Sequence, residues 1–222
     1  MYFIFMLTHG DKTIPNCLEV LDEVLPLGLT HIGFKDVGVA PEVLKALTDR
    51  IKAAGATSYM EVVSETPEAC LQSARVAATL GVDRLLGGTE IDAITPLISE
   101  TDIDYFPFPG YPVDHPTKLK GGPDDIAAHC RDFMAKGAAG VDLLAYRATE
   151  ADPIALVQAA RAGLNGGELI VAGSISRPDQ IVALKDAGAD GFTMGTAVFD
   201  NVFAPECDGN AAQVEAVMRC LQ

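Results

Sequence analysis

Two ionisable residues of opposite sign close consecutive β-like segments: Lys35 in His31-Ile32-Gly33-Phe34-Lys35 and Glu61 in Tyr59-Met60-Glu61. Side chains alternate between the two faces of a strand, so with Ile32 and Phe34 on one face, His31, Gly33 and Lys35 share the other. The same parity, with Met60 and Val62 outward, puts Tyr59 and Glu61 beside them. Strands about 4.8 Å apart let a carboxylate hold the amine charged, orient it, or exchange a proton with it. Such an amine attacks a carbonyl to form an imine, or stabilises an enediolate as a cation. An ion pair that merely fills a polar interior is the bland alternative.

Further groups stand at neighbouring segment ends. Asp36 follows the lysine directly. In Asp142-Leu143-Leu144-Ala145-Tyr146-Arg147, an outward Leu143 and Ala145 turn Asp142 and Tyr146 inward, and the opposite register leaves Asp142 facing a loop or in a structural role. Arg147 suits a carboxylate or a second phosphate. Asp36, Asp142 and Arg147 are expected to orient a substrate, and Gly88 and Thr89 to let it lie close to the backbone. His9 in Thr8-His9-Gly10-Asp11-Lys12, and His115 in the proline-rich stretch 107–116, are candidate acids or bases near neutral pH. That stretch exceeds the two to six residues usual for such a connection and reads as a lid. His31 is expected to be a hydrogen-bonded filler, and His129, on an outer helix, to take no part.

Two segments near the C-terminus both stop at glycine: Leu169 to Ser176, with Gly173 and Ser174, and Gly191 to Phe199, with Gly195 and Thr196. A phosphate needs several N–H donors at short range, and glycine permits the backbone to approach closely. The two hydroxyls add donors, and Ala197 to Phe199 can form a short helix whose N-terminus faces the anion. The alternative is that these glycines only allow tight turns.

The elements that must position these residues recur about every 25 to 30 residues, each an apolar strand, a polar loop and an amphipathic helix. Strands are expected near 2–8, 30–35, 57–63, 83–87, 103–106, 141–146, 168–173 and 190–195. Helices are expected near 14–26, 41–54, 67–80, 91–99, 123–136, 152–163, 178–187 and 210–221. Pro15, Pro41, Pro67, Pro153 and Pro178 mark helix starts, and Gly28, Gly55, Gly81 and Gly188 mark ends. Alternating strands and helices imply a parallel sheet, and no G-x-G-x-x-G follows the first strand to suggest an open dinucleotide-binding sheet. The fold expected is α/β, a single (β/α)8 TIM barrel over residues 1–222, with a C-terminal phosphate-binding motif and its chemistry at the carboxyl ends of the strands.

Val171-Ala172-Gly173-Ser174-Ile175-Ser176, followed by Gly191-Phe192-Thr193-Met194-Gly195-Thr196-Ala197-Val198-Phe199, resembles the ribulose-phosphate-binding barrels. That superfamily includes the histidine-biosynthesis isomerase and cyclase, pentulose-phosphate epimerases, hexulose-phosphate synthases and indole-glycerol-phosphate synthase. The resemblance implies a phosphorylated small molecule bound at Gly173, Ser174, Gly195 and Thr196. It covers the last quarter of the chain specifically and the rest only as a repeat pattern. Phe34-Lys35-Asp36-Val37 also resembles, loosely, the lysine-bearing strand end of the formylfuran-methyl phosphate synthases. The chain departs from the metal-dependent epimerases, because Gly33, Lys35 and Glu61 stand where their metal ligands would be, so no metal and no other cofactor is expected. It departs too from the histidine-biosynthesis isomerase, which has aspartates where this chain has Thr8 and Phe106.

Composition sets the outer bounds. A formal charge of −15 repels phosphodiester backbones and anionic membrane surfaces, so the expected partner is a small phosphorylated substrate, with no nucleic acid and no membrane. The apolar opening from Tyr2 to Leu7 lacks a basic leader and is too short for a span. Five cysteines without C-x-x-C spacing fit a reducing cytoplasm. Barrels commonly pair through outer helices, which favours a homodimer. The leading functional reading is a lyase of aldolase type on a small phosphorylated aldehyde or ketone, with Lys35 as nucleophile and Glu61 as its acid–base partner. The alternatives are a metal-independent sugar-phosphate isomerase or epimerase, and a non-catalytic barrel that binds a phosphometabolite.

Overall fold

The computed structural model describes residues 1–62, 66–114 and 116–221. Eight parallel strands form one sheet: β1 (Tyr2–Met6), β2 (His31–Lys35), β3 (Thr57–Glu61), β4 (Arg84–Leu86), β5 (Asp104–Phe106), β6 (Gly140–Leu143), β7 (Glu168–Val171) and β8 (Gly191–Met194). Their order is β6-β7-β8-β1-β2-β3-β4-β5. The edges β5 and β6 are joined by main-chain hydrogen bonds from Ala139 N to Tyr105 O (3.0 Å) and from Asp142 N to Pro107 O (3.1 Å), which bring the sheet round into a barrel.

Helices α1 (Cys17–Val24), α2 (Pro41–Ala53), α3 (Pro67–Leu80), α4 (Ile91–Ile98), α5 (Pro123–Ala135), α6 (Pro153–Leu164), α7 (Pro178–Asp186), α8 (Thr196–Phe199) and α9 (Asn210–Arg219) complete the chain. Their starts follow the local chemistry. Pro41, Pro67, Pro153 and Pro178 occupy the first helical position, where a missing N–H leaves nothing unpaired. Thr66 and Asp152 cap α3 and α6 by accepting from the amides of Ala69 and Ala155. Pro15 is the exception, since α1 begins two residues later, at Cys17.

Two apolar layers result from strand alternation. Phe3, Phe5, Ile32, Phe34, Met60, Leu85 and Phe192 face the helices, where α1 contributes Val20, Leu21 and Val24. Ile4, Met6, Tyr59, Leu86, Phe106 and Ile170 fill the barrel itself. Gly33 makes room for Met6, whose sulfur occupies the space a Cβ there would need.

The floor, at the amino ends of the strands, is polar and tied together by side chains. Arg84 pairs with Glu168 (2.9 Å) and donates to the hydroxyls of Tyr2 (3.1 Å) and Tyr59 (3.3 Å). His31 Nδ1 shares a 2.8 Å hydrogen bond with Tyr59, and its ring stacks on Tyr2.

Three local features depart from the pattern read off the sequence. β6 stops at Leu143 and the chain enters a 3₁₀ turn over Ala145–Arg147, so strand parity no longer governs Tyr146. An antiparallel ribbon pairs Thr8–His9 with Lys12–Thr13 around Gly10 and Asp11, both at positive φ, as a two-residue hairpin turn requires. The proline-rich stretch carries a second hairpin, Tyr111–Val113 with Lys118–Lys120. His129 Nδ1 accepts from Gly110 N at the start of that hairpin. Among the described residues, no helix is long and apolar enough to cross a membrane.

Candidate active site

At the carboxyl ends of the strands the mouth of the barrel holds two chambers, of about 370 and 350 Å³. Both are lined by Asp11, Lys35, Glu61, Leu144 and Arg147, which form their common wall. Lys35 and Glu61 are register partners on adjacent strands, and Lys35 Nζ lies 3.1 Å from Glu61 Oε1. A second carboxylate is nearer: Asp11 Oδ1 accepts from Lys35 Nζ at 2.7 Å and faces Arg147 at 3.3 Å.

Asp11 reaches this point because its ribbon is fastened to the end of β2. Thr13 Oγ1 donates to Lys35 O (2.7 Å) and accepts from Lys35 N (2.9 Å). The sequence reading passed over Asp11. Its signal was the Gly10-Asp11 pair straight after β1, a turn composition that brings the acid back over the strand ends.

Electrostatics follow from burial and these contacts. Burial alone would lower the pKa of Lys35, but Glu61 and then Asp11 outweigh it and raise the pKa, so the group is an ammonium. Burial likewise acts to raise the pKa of Asp11, yet Lys35 and Arg147 bring it down to about 2. Asp142 behaves oppositely. It is fully buried, both of its oxygens lack a hydrogen-bond partner among the described residues, and burial reinforced by Glu61 raises its pKa well above the usual carboxylate range despite Lys35 and Arg147.

The glycine-ended segments meet in one chamber. Gly173, Ser174, Gly195 and Thr196 line it together with Ile175, Ser176 and Ala197. Gly173 and Ser174 both have positive φ (80° and 61°), which turns the backbone at the end of β7. Among the described residues the amides of Ser174 and Ile175 have no main-chain acceptor, whereas that of Ser176 is taken by Gln180 Oε1. At Gly195 a Cβ would stand 2.7 Å from Thr8 O and 2.8 Å from Met6 O, so only glycine brings the start of α8 this close to β1.

Gly88 and Thr89 line the other chamber, with Thr66, Cys70, Glu90, Phe108, Asp114 and Thr117. Arg147, on the 3₁₀ turn, lies across Gly173 and so stands between the two spaces.

Several sequence candidates lie elsewhere. Asp36 lines neither chamber; it points outward and accepts a hydrogen bond from Ser73 of α3, because it falls on the helix-facing parity one residue past Lys35. Tyr146 also lines neither chamber and packs against the outer apolar layer, a result of the 3₁₀ turn. Asp142 does point inward, but it lies below the chambers rather than in their walls. His9 is exposed on the rim, where Nε2 meets Asp200 Oδ1 at 2.9 Å. His115 lies outside the described residues. Among the described residues no cluster of three or more His, Cys, Asp or Glu is arranged to hold a metal.

No family model matches the chain, and no curated protein matches it. Solved structures do. Thiamine phosphate pyrophosphorylase from Pyrococcus furiosus superposes with a TM-score of 0.64 at 11% identity, over 100% of this chain and 97% of that one. Orotidine 5′-phosphate decarboxylase from Pyrococcus horikoshii gives 0.68 at 13% identity, over 99% and 98%. A chain of the tryptophan synthase complex from Pyrococcus furiosus gives 0.67 at 14% identity, over 99% and 96%. Likeness over whole chains at such low identity is likeness of architecture, and the architecture is the (β/α)8 barrel.

Proposed function

We propose that this chain is an enzyme acting on a small phosphorylated carbonyl compound, with the charged Lys35 stabilising an enolate-like transition state and Glu61 moving the proton. The observation that carries this reading is the position of Lys35 Nζ, between Asp11 at 2.7 Å and Glu61 at 3.1 Å, in the wall shared by the two chambers. A phosphate held by the glycine-ended segments would place the adjoining carbons beside that wall. Barrels named for thiamine phosphate and orotidine 5′-phosphate share the architecture, which is consistent with a phosphorylated ligand at this end.

Between the two catalytic routes open to a lysine, charge favours one. Imine formation needs the free amine, and the neighbours of Lys35 favour the ammonium. An ammonium aimed at a developing oxyanion acts without losing its proton. A metal-independent isomerase or epimerase therefore ranks first. The lyase reading is second, favoured by one feature: the chamber on the far side of Lys35 has room for a second carbon fragment.

Incubation with a panel of pentulose and tetrose phosphates in deuterated water tests the first reading, since substrate recovered with deuterium on the carbon beside the carbonyl marks proton transfer. Borohydride added during turnover tests the second. A reduced adduct mapped to Lys35 would establish an imine and displace the first reading.

A further inference from the structure

Arg147 lies where unspent donors gather. Its side chain crosses Gly173 so closely that Nε stands 2.6 Å, and Cδ 2.9 Å, from where a Cβ there would sit. Its hydrogen bonds run from the two terminal nitrogens, Nη1 to Thr117 O (3.5 Å) and Nη2 to Asp11 Oδ1 (3.3 Å), which leaves Nε–H without an acceptor among the described residues. The next two amides along the chain, those of Ser174 and Ile175, also have no main-chain acceptor there. Arg147, Ser174 and Ile175 all line the glycine-ended chamber.

An anion in that chamber needs a cation as well as amides. The charged side chains in its described wall are Lys35 and Arg147 against Asp11, Glu61 and Asp200. Asp200 is met by His9 at the rim (2.9 Å), and Lys35 lies between two carboxylates, at 2.7 and 3.1 Å. Arg147 has one carboxylate partner among the described residues, at a longer 3.3 Å. A partly exposed pair of that length is cheaply broken, and the guanidinium fork has donors to spare.

The oxygen that Arg147 touches is also the one that Lys35 touches. Asp11 Oδ1 accepts from Nη2 of the arginine at 3.3 Å and from Nζ of the lysine at 2.7 Å. Two cations thus share a single acceptor atom. The ribbon that carries Asp11 is pinned by Thr13 to the main chain of Lys35 itself, so when Arg147 turns away Asp11 stays with the lysine.

We infer that Asp11 holds Arg147 in reserve until the phosphate of the substrate takes it, and that this exchange leaves Asp11 to Lys35 alone. Asp11 is then a positioning residue with two effects: it competes with the phosphate for Arg147, and it makes the surroundings of Lys35 depend on whether the anion chamber is filled. By linkage the dependence runs both ways, so the hold of Lys35 on Asp11 favours phosphate binding. This rests on the glycine-ended chamber holding the phosphate, and adds how that chamber is joined to the lysine.

Calorimetric titration of the full chain with inorganic phosphate tests it. Arg147→Met is expected to weaken binding at least about tenfold, and Asp11→Asn to tighten it several-fold, a gain that no folding defect produces. The gain should vanish when both changes are combined, whereas simple relief of repulsion would persist. Lys35→Met, which leaves Asp11 to Arg147, should cost more in the parent chain than in Asp11→Asn, where only the loss of a positive charge remains. Unchanged binding in Arg147→Met, or the same gain from Asp11→Asn with and without Arg147, overturns the inference and leaves the phosphate site standing. An equal loss from Lys35→Met in both backgrounds overturns the exchange with the lysine. Thr196 lines the glycine-ended chamber and Thr89 the other. Binding weakened by Thr89→Val and not by Thr196→Val, or no binding at all, overturns the phosphate site, and this inference with it.

Discussion

Lys35 donates a 2.7 Å hydrogen bond to Asp11, a residue that belongs to a ribbon outside the barrel wall. The contact joins a side chain from the end of β2 to a turn pinned over the same opening. It makes the charge state of the lysine depend on a segment with no place in the eightfold repeat.

Replacing Lys35 by methionine is expected to lower kcat/KM by about 10²–10⁴-fold, the range seen when a charge-stabilising or proton-transferring group is lost. Arginine should restore little, since its planar fork does not place one compact charge between Asp11 and Glu61. Steady-state kinetics on a phosphosugar substrate decides. Near-normal turnover in the methionine variant rules out a catalytic lysine.

Asp11→Asn should act through pH. Asp11 helps raise the pKa of Lys35, so its removal lowers that pKa. The alkaline limb of the rate profile, where the ammonium is lost, should then move toward neutrality. An imine mechanism predicts the reverse at neutral pH, a faster reaction from a freer amine, so one pH profile separates the two routes.

Stability should change with pH in opposite directions at two carboxyls. The folded pKa of Asp11 is lowered to about 2, so its contribution is present above its ordinary pKa and lost as pH falls toward 2. The folded pKa of Asp142 is raised, so its contribution is fully present below its ordinary pKa and lost as pH rises through the folded value. Urea denaturation should therefore show Asp142→Asn gaining on the parent protein from pH 3 to pH 7, and Asp11→Asn losing ground. A constant difference for Asp142→Asn would mean that its carboxyl titrates normally.

Gly195→Ala is expected to cost about 1–3 kcal/mol of stability, because the new methyl meets carbonyl oxygens of Met6 and Thr8 rather than a side chain that can move. Ser174→Gly should be neutral or stabilising by up to about 1 kcal/mol, as it relieves a left-handed serine, while weakening phosphate binding through the lost hydroxyl. Thermal melts with and without phosphate separate the two effects.

Breaking the floor should affect folding rather than chemistry. Arg84→Met leaves Glu168 without its partner and should cost about 2–3 kcal/mol, less than for a fully buried pair because both groups are partly exposed. Activity at low temperature should survive, since Arg84 lines neither chamber.

The repeat and its punctuation were readable because they are local. Proline at the first turn and glycine after the last act within a few residues, and α3 begins and ends at the residues read from sequence. Parity on β2 and β3 was readable for the same reason and brought Lys35 beside Glu61. Asp11 was not, because its meeting with Lys35 depends on Thr13 bonding to the end of β2, a contact between segments that no periodicity announces. Tyr146 was misplaced by extending a strand's alternation past Leu143, where the chain had already begun to coil. Asp36 had the right neighbour and the wrong face.

The bonded base has a kinetic meaning. With Arg84, Glu168 and the two tyrosines bonded together at one end and Leu86 and Phe106 buried above them, none of these floor residues lines either chamber, and both chambers lie at the carboxyl ends of the strands. Whatever is made beside Lys35 must depart through the gateway by which its precursor arrived. Departure and arrival cannot overlap, and any molecule lodged at the rim stoppers both directions of traffic at once.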